Sequence, residues 1–576
     1  MQGHTLERMS LTMLFLVLLL AACGGAASSS PTAQGKAPDD KQIFISPLPG
    51  ASQVDTFDPA RTRSIWMINP LRMIYTGLVT LDEQGSVRNQ LAVSAQVSDD
   101  GLSYTFTLKD GVTFSDGAPL TSNDVVYSLD RALQPATKSP TALSTLSMIH
   151  DADQLASGKL KTLIGNSLLT PDEKTVIIKL NRKTPSFLNA LSSMCAFVLQ
   201  KKVVERYGSD SFGRAEHVQQ GAGIGPFRLA QYEEGVKVEL VPDPRYYGEQ
   251  PQLKKVLLPF YKNPGTIYKA YEAGQLSFTF VPSAQTEQAK ALPQQQYHQQ
   301  PQLLTRYYAL NYLTKPFDNI KIRQAFALAL NKTQIAEKVY KGTVQPTNHI
   351  VPQGMPDYDN ETGSVPSKTE GDEQQAKKLL QEGMKEAGIT SLPEITFTVA
   401  TSGYPDYQNE FAAAQQMWQK VLGVTVKINN VDSSLHLKEV TASVNNPRGL
   451  QMWPAFLSLS YADPREATTA YFGKHAPGNT MNYGANFSAT VKQQQDVQEM
   501  LERADVTTEI EERMRLYHTA EQRLLEDTAI IPVYQYMNVY LLKPCIQGFT
   551  ANTVGLVSPE TWGKVFVSNT SPCASA

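Results

Sequence analysis

The residues that could do chemistry are scattered along the chain and form no recognisable catalytic pattern. The eight histidines include no His-Glu-x-x-His pair, and the sequence contains no Gly-x-Ser-x-Gly elbow, no Walker phosphate loop and no metal-ligand spacing. Acidic pairs such as Asp357/Asp359 and Glu233/Glu234 could in principle serve a glycosidase, but their surroundings are typical of solvated turns. The sequence therefore favours binding without cofactor or metal over catalysis, and a secreted hydrolase is the least favoured alternative.

A glycine-rich stretch that could cradle a phosphate is better explained as a turn between strands. Gly221, Gly223 and Gly225 have the spacing of part of a dinucleotide-binding loop. Pro226 follows at once, and the next residues alternate between apolar and polar as a strand does. No helix N-terminus is therefore presented to a phosphate group.

The N-terminus has the features of an export signal followed by a lipid anchor. Arg8 precedes an apolar run, Leu11 to Leu20, that is too short to span a bilayer. The run ends in Leu-Ala-Ala-Cys, which resembles a bacterial lipobox with Cys23 as the acylated residue; ordinary cleavage beside a passing cysteine is the alternative. Two or more acyl chains would anchor the protein stably, at roughly 0.8 kcal/mol per buried methylene. Residues 24–40 are rich in Gly, Ala, Ser and Pro and predict a flexible tether.

Three further cysteines lie in what would be an exported protein, where disulfides can form. Cys545 and Cys573 are both in the C-terminal segment and are the expected pair, with two free thiols as the alternative. Cys195 lies in an apolar run and is expected to be a small buried residue.

Length and composition indicate a soluble protein with more than one hydrophobic core. The chain has 576 residues, which exceeds what one core organises, so two or three lobes are expected. Apolar residues make up 41%, charged residues 19%, and the formal net charge is −3. Because there is no basic surface signature, nucleic-acid binding is disfavoured.

The elements are clearest between residues 70 and 131, where turn residues divide short alternating runs and a helix follows. Tyr104 to Leu108 is the clearest strand, and Thr121 with Asp124 predicts a capping box at the start of the helix. The order of residues here, with "YTFTLKDGVTFSDGAPLTSNDVVYSLDRAL", resembles the N-terminal signature of the extracellular solute-binding proteins of oligopeptide, dipeptide and nickel ABC importers.

Three later blocks match the same family in the same order. "GAGIGPFRLAQYEEGVKVELVPDPRYYG" predicts strand, turn and strand, and "YYALNYLTKPFDNIKIRQAFALAL" predicts a helix capped by Asp318. "AIIPVYQYMNVYLLKP" predicts a strand pair that returns to the first lobe. Residues 372–430 independently predict a helix followed by a βαβ unit with a parallel strand pair.

The resemblance implies an α/β fold like that of periplasmic binding proteins, with two main lobes, an extra subdomain and a ligand cleft between lobes. At least two strands would cross between lobes as hinges. The expected division is as follows: signal peptide, 1–22; lipidated cysteine and tether, 23–40; lobe I, 41–73 with 218–306 and 527–576; lobe II, 74–217; lobe III, 307–526.

The resemblance also nominates residues of the ligand cleft. In peptide-binding relatives an aspartate holds the peptide's ammonium group, and here Ser460 stands at that position, followed by Tyr461 and Asp463. Because a hydroxyl cannot neutralise an ammonium, either Asp463 or another carboxylate replaces it, or the ligand has no free amino terminus. The resemblance also nominates Arg63, Ser64 and Trp66, with a surface loop as the alternative, and Tyr307, while Thr141 stands where binders of long peptides often have tyrosine. By residue type and position, Tyr404, Tyr407 and Trp453 are further candidates, with core packing as the alternative.

The function that follows from the resemblance is capture of oligopeptides or dipeptides outside the cytoplasm and delivery to an ABC permease by hinge closure. The expected protein is a monomer held at the membrane by its lipid, without nucleic-acid partners. A non-peptide solute and a ligand-sensing receptor are the alternatives.

Overall fold

The computed structural model describes residues 35–49, 53–355, 358, 368–459, 461–552 and 554–569. The signal peptide, Cys23 and most of the tether therefore lie outside the described residues. Within them, the three largest sheets pack on separate hydrophobic cores, and the parts of the chain around these sheets are called lobes I, II and III below. No described helix combines the length and apolar character that crossing a bilayer requires.

Lobe I contains a five-stranded sheet in which the first strand of the chain pairs in parallel with a strand more than 200 residues later. The predicted strand, turn and strand after Gly225 is confirmed as an antiparallel pair. The strands of the lobe are Ile43–Ile45, Leu48–Pro49, Phe227–Glu233, Lys237–Pro242 and Lys255–Tyr261, with the small pair Ile546–Gln547 and Phe566–Val567. The helices are Asp39–Lys41, Ile65–Met67, Ile68–Ile74, Pro264–Glu272, Ser283–Gln285, Thr286–Lys290 and Pro559–Lys564.

Lobe II begins after the helix Ile68–Ile74 and packs one long helix on an antiparallel sheet. The predicted capping box is confirmed, because the backbone N–H of Thr121 donates to the Asp124 carboxylate at 3.0 Å. The strands are Val79–Leu81, Val87–Asn89, Ala92–Val97, Ser103–Leu108, Leu168–Leu169 and Thr175–Lys179. The helices are Ser122–Leu133, Pro135–Thr137, Ala142–Leu146, Ala152–Ala156, Phe187–Leu191 and Met194–Ala196. The chain from Phe197 to Val218, which carries the helices Lys201–Tyr207 and Ala215–Val218, ends lobe II and packs against the core of lobe I.

Lobe III is built on a seven-stranded mixed sheet. The predicted βαβ unit is confirmed, because its two strands pair in parallel around the helix Pro405–Leu422. The strands of this sheet, in spatial order, are Phe278–Phe280, which extends it into lobe I, Ile531–Leu542, Tyr297–Leu310, Met452–Ser458, Ile395–Val399 and Val426–Asn430, with Val344–Pro346 beside Ile531–Leu542. The helices are Ile320–Leu328, Lys332–Gln334, Ile335–Val339, Glu373–Glu386, Pro405–Leu422, Ser433–Ala442, Pro464–Ala467, Thr469–Phe472, Val491–Val506 and Ile510–Glu526.

Two long strands, Tyr297–Leu310 and Ile531–Leu542, connect lobes I and III and are called the hinge strands below. They pair with each other in antiparallel fashion, and the second also carries Phe278–Phe280 at its lobe I end. The prediction of a strand pair after residue 528 is wrong. A single strand forms there because it pairs with the other hinge strand along most of its length.

The predicted cap at Asp318 is also wrong by one residue. Asn319 is the N-cap of the helix Ile320–Leu328, and its side-chain oxygen accepts from the backbone N–H groups of Lys321 and Ile322. Asp318 is instead bound to Lys315.

Candidate functional site

A cavity of about 630 Å³ lies between lobes I and III, over the hinge strands. Its size falls within the range of small-molecule and short-peptide sites in proteins. The lobe III wall stands at the carboxyl ends of the parallel strands Ile395–Val399 and Met452–Ser458, where open α/β sheets commonly bind ligands. Representative lining residues are Trp66, Asn69, Phe280 and Ser283 from lobe I, and Tyr340, Tyr404, Asp406, Tyr407 and Ser458 from lobe III.

The lobe I wall is largely aromatic. Trp66, on the short helical turn Ile65–Met67, packs against Phe280 with ring centroids 4.9 Å apart. Asn69, one turn later, fixes the C-terminal segment that completes this wall. Its side chain donates to the carbonyl of Gly555 and accepts from the N–H of Val557, both at 3.1 Å. The wall can therefore bury apolar ligand groups while polar side chains hold its shape.

The floor of the cavity is made by an irregularity in the hinge strands. The register of the two strands shifts between Pro301 and Thr305, so that Gln302, Leu303 and Leu304 face a single residue of the partner strand. All three residues line the cavity. Bulges of this kind redirect side chains and are common beside functional sites. Gln535 supports the bulge, because its side-chain amide donates to the carbonyl of Gln302 at 3.0 Å.

The lobe III wall begins at the first turn of the helix Pro405–Leu422. Proline at the first position suits the helix start, because its missing N–H would have no intrahelical partner. Tyr407 and Tyr536 are joined by their hydroxyl groups at 3.2 Å. Burial raises the pKa of Tyr536, so its hydroxyl stays protonated at neutral pH and can act as a donor.

Behind this wall, Glu410 and Arg306 form a buried ion pair with tyrosine hydroxyls around it. Glu410 Oε1 lies 3.4 Å from Arg306 Nε, and its two oxygens accept from the hydroxyls of Tyr308, Tyr340 and Tyr534 at 2.9, 2.6 and 2.8 Å. Burial alone would lower the pKa of Arg306, but the Glu410 carboxylate and the surrounding tyrosines together outweigh burial, and the pKa is raised. The network ties both hinge strands to the helix that starts the lobe III wall.

Of the predicted ligand-binding residues, the structure brings Trp66, Tyr404 and Tyr407 together at the cavity. Tyr404 stands at its mouth, with 61% of its surface exposed. Ser64 is half-buried at the N-cap position of the turn that carries Trp66, and it is not part of the lining.

Other predicted residues lie away from the cavity. Tyr307 and Trp453 are buried in the cluster on the opposite face of the lobe III sheet, against the helices Val491–Val506 and Ile510–Glu526. Their positions follow from strand alternation, since Arg306 and Tyr308 point to the face that carries Glu410. Arg63 and Thr141 are exposed outside the lining.

The segment after Leu459 connects lobe III to lobe II. Tyr461 is buried in the core cluster of lobe II. Asp463 is held by both terminal nitrogens of Arg513, at 2.7 and 3.0 Å, and also accepts from the N–H of Arg465. Burial would lower the pKa of Arg513, but Asp463 and Tyr517 together outweigh burial, and the pKa is raised. The negative charge of Asp463 is therefore already balanced by Arg513 in this structure. Ser460 lies outside the described residues.

Two cysteine predictions can be placed in the structure. Cys195 is buried with a free thiol, and burial raises its pKa to about 11. Cys545 is buried and takes part in a disulfide bond. Because Cys573 lies outside the described residues, the pairing of the two remains a prediction.

Sequence reasoning missed several residues of the site. Asp406 and the aromatic residues Phe278, Phe280 and Tyr540 all line the cavity. The position of Asp406 between Tyr404 and Tyr407, just after a proline that starts a helix, was a usable signal. Pro301, directly before the bulge at residues 302–304, was also a usable signal, because proline within a sheet is found at edges and bulges.

Comparison with known proteins identifies the family. Residues 86–479 match the model of the bacterial extracellular solute-binding proteins, family 5, middle region. This is more than half of the chain. The chain belongs to this family. It is an extracellular solute-binding protein, as the resemblance had implied, and the predicted α/β fold with lobes and a cleft is confirmed.

Similar proteins match over almost their full length. The chain is 26% identical over 552 residues to the dipeptide-binding protein DppE of Bacillus subtilis, covering 94% of this chain and 96% of the relative. It is 25% identical over 566 residues to the oligopeptide-binding protein OppA of the same organism, covering 97% of each. The solved structure of the periplasmic murein tripeptide binding protein MppA in its unliganded open form superposes with a TM-score of 0.75 at 25% identity, covering 94% of this chain and 99% of that one.

Proposed function

We propose that this protein captures short peptides outside the cytoplasm and delivers them to the transmembrane subunits of an ABC importer. The observation that carries the proposal is the cavity between lobes I and III, whose two walls belong to different lobes and whose floor is the pair of hinge strands. Two relatives are named as a dipeptide-binding protein and an oligopeptide-binding protein, which supports a peptide as the solute.

The mechanism follows from the placement of the walls. A ligand in the cavity contacts both lobes only when the lobes are together, so its binding free energy favours the closed form over the open one. The hinge strands can transmit this motion because they are the continuous connection beneath both walls. The permease would then distinguish the loaded protein from the empty one by its shape.

The proposal also includes the division into lobes, the lipid anchor, the oligomeric state and a disulfide bond. We take lobe I as 41–73 with 218–306 and 527–576, lobe II as 74–217 and lobe III as 307–526. Cys23 carries the lipid, residues 24–40 act as a tether, and the protein works as a monomer at the membrane surface. A Cys545–Cys573 disulfide would hold the C-terminal segment against lobe I.

Native mass spectrometry with a library of tri- to pentapeptides tests the proposal. Wild-type protein is expected to retain peptide masses, whereas Ser458→Trp, which places a large side chain in the cavity, should lose them. Ser157→Trp is the matched control, because Ser157 is exposed on lobe II and its replacement should leave retention unchanged. Failure of the wild type to retain any peptide, or equal retention by Ser458→Trp, would contradict the proposal.

A further inference from the structure

The cavity carries a single charged side chain among the described residues that line it. That residue is Asp406, and no lysine, arginine, histidine or glutamate joins it in the lining. The other lining side chains are apolar, aromatic or uncharged polar groups. The walls therefore offer one negative charge to a ligand and no positive one.

Asp406 also lacks a basic partner, unlike the two buried carboxylates of lobe III described above. Glu410 has Arg306 and Asp463 has Arg513, whereas no ion pair joins Asp406 to a basic group within the described parts of the chain. Its Oδ2 accepts from Ser283 Oγ at 2.7 Å. A half-buried carboxylate with a single neutral donor is a site where a cation is stabilised.

The surroundings of Asp406 suit a cation with an apolar body. Tyr404 and Tyr407 flank it on the same turn, with ring centroids 5.5 Å apart. The ring of Tyr407 already packs against one cation, since the guanidinium carbon of Arg306 lies 4.6 Å from its centroid. Aromatic faces stabilise ammonium groups through their quadrupole, so a second cation near this turn would find favourable contacts.

We infer that Asp406 is the charge-selecting residue of the cavity and binds the positively charged end of the ligand. The inference rests on the proposed function where it names a peptide: the free amino terminus is bound by Asp406, and the carboxyl end is not recognised by charge. The cavity then prefers apolar peptides with a free amino group and tolerates modification of the carboxyl terminus.

The same carboxylate connects ligand binding to lobe closure. Ser283 belongs to lobe I and Asp406 to lobe III, so their hydrogen bond spans the cleft. When the lobes separate, this bond is lost and Asp406 faces solvent. A ligand ammonium at Asp406 neutralises the carboxylate as the walls meet, while Ser283 keeps it in position.

Isothermal titration calorimetry with three forms of one apolar tetrapeptide tests the inference: free, N-acetylated and C-amidated. Acetylation should weaken binding to the wild type by about 10- to 100-fold, the effect of losing a charge-assisted hydrogen bond. Amidation should change the affinity less than about threefold. Asp406→Asn should weaken the free peptide as much as acetylation does, with no further loss for the acetylated peptide.

Three further variants separate charge selection from damage to the fold. Asp406→Glu keeps the charge and should retain the preference for the free amino group. Ser283→Ala should weaken all three peptides by a similar factor. Asp432→Asn is the matched control, because Asp432 caps the neighbouring helix Ser433–Ala442 outside the cavity, and it should bind as the wild type does.

The outcomes separate this inference from the proposed function. Equal affinity for free and acetylated peptides, an unaffected Asp406→Asn, or loss of binding on amidation would overturn the inference while peptide binding stands. If no peptide binds, the proposed function fails, and 2-phenylethylamine with its N-acetyl derivative becomes the probe pair. Binding of the amine alone, dependent on Asp406, would uphold charge selection; binding of neither would overturn both.

Discussion

Replacing Glu410 by glutamine should destabilise lobe III strongly, because it leaves the Arg306 guanidinium buried without a counter-charge. The side chains of Glu410 and Arg306 are 0% and 3% exposed. The glutamine amide can still bond to the tyrosine hydroxyls, but it offers no negative charge. Arg306 Nη2 already has no hydrogen-bond partner within the described structure, so the network has little capacity to compensate.

The size of the effect follows from the burial of the pair. Removing one partner of a buried ion pair typically costs about 3–5 kcal/mol. For a unit of about 150–250 residues, such as lobe III, each kcal/mol corresponds to roughly 2–4 °C in unfolding temperature. The lobe III transition should therefore fall by roughly 6–20 °C.

Differential scanning calorimetry of the variant against the wild type measures this shift. Glu382→Gln is the matched control, since Glu382 is 39% exposed and pairs with Lys321 at the surface, where an ion pair contributes only about 0–1 kcal/mol. The double variant Glu410→Gln/Arg306→Met should recover part of the loss, because neutral groups can replace a buried pair with little effect. Equal shifts for Glu410→Gln and Glu382→Gln would refute the reasoning.

Two further predictions concern buried groups away from the cavity. Burial lowers the pKa of Lys332 to about 7 in the folded protein, whereas its pKa in the unfolded chain is near 10.4. Between about pH 7 and 10 the unfolded chain therefore binds more protons, and the free energy of unfolding should rise with pH. Lys332→Met should therefore raise the free energy of unfolding most at pH 6–7, by at most about 5 kcal/mol at 1.36 kcal/mol per pKa unit, and the gain should shrink by pH 10. Thermal unfolding at several pH values measures this, and a gain independent of pH would contradict it. Cys195, with its raised pKa and buried thiol, should resist iodoacetamide at pH 8 until the protein is unfolded, because the thiolate is the reactive form; alkylation of the folded protein, detected by intact mass, would contradict it.

Local patterns in the sequence were sufficient for many of the elements. The capping box at Thr121 and Asp124 and the βαβ unit depend on residues close together in the chain, and both are confirmed. The strand pair expected after residue 528 is instead one strand, because its length is set by pairing with residues more than 200 positions away. Such a partner cannot be identified from the local pattern.

The cavity was harder to predict than the fold. Tyr307 and Tyr404 are similar candidates by residue type, but the alternation of a paired strand turns Tyr307 into the core. Asp463 and Asp406 are both aspartates at helix starts, yet only Asp463 meets an arginine, and that arginine is 50 residues away. Which carboxylate is free depends on tertiary contacts that residue order alone does not specify.

The most direct test of solute binding between hinged lobes is the distance across the cleft as peptide is added. Single cysteines at Val236 on lobe I and Leu437 on lobe III, 54% and 67% exposed, accept a dye pair while Cys195 stays buried. Saturating peptide should raise energy transfer in the wild-type background and leave it unchanged in Ser458→Trp. Unchanged transfer in the wild-type background at saturating peptide, or the same increase in Ser458→Trp, would contradict the account.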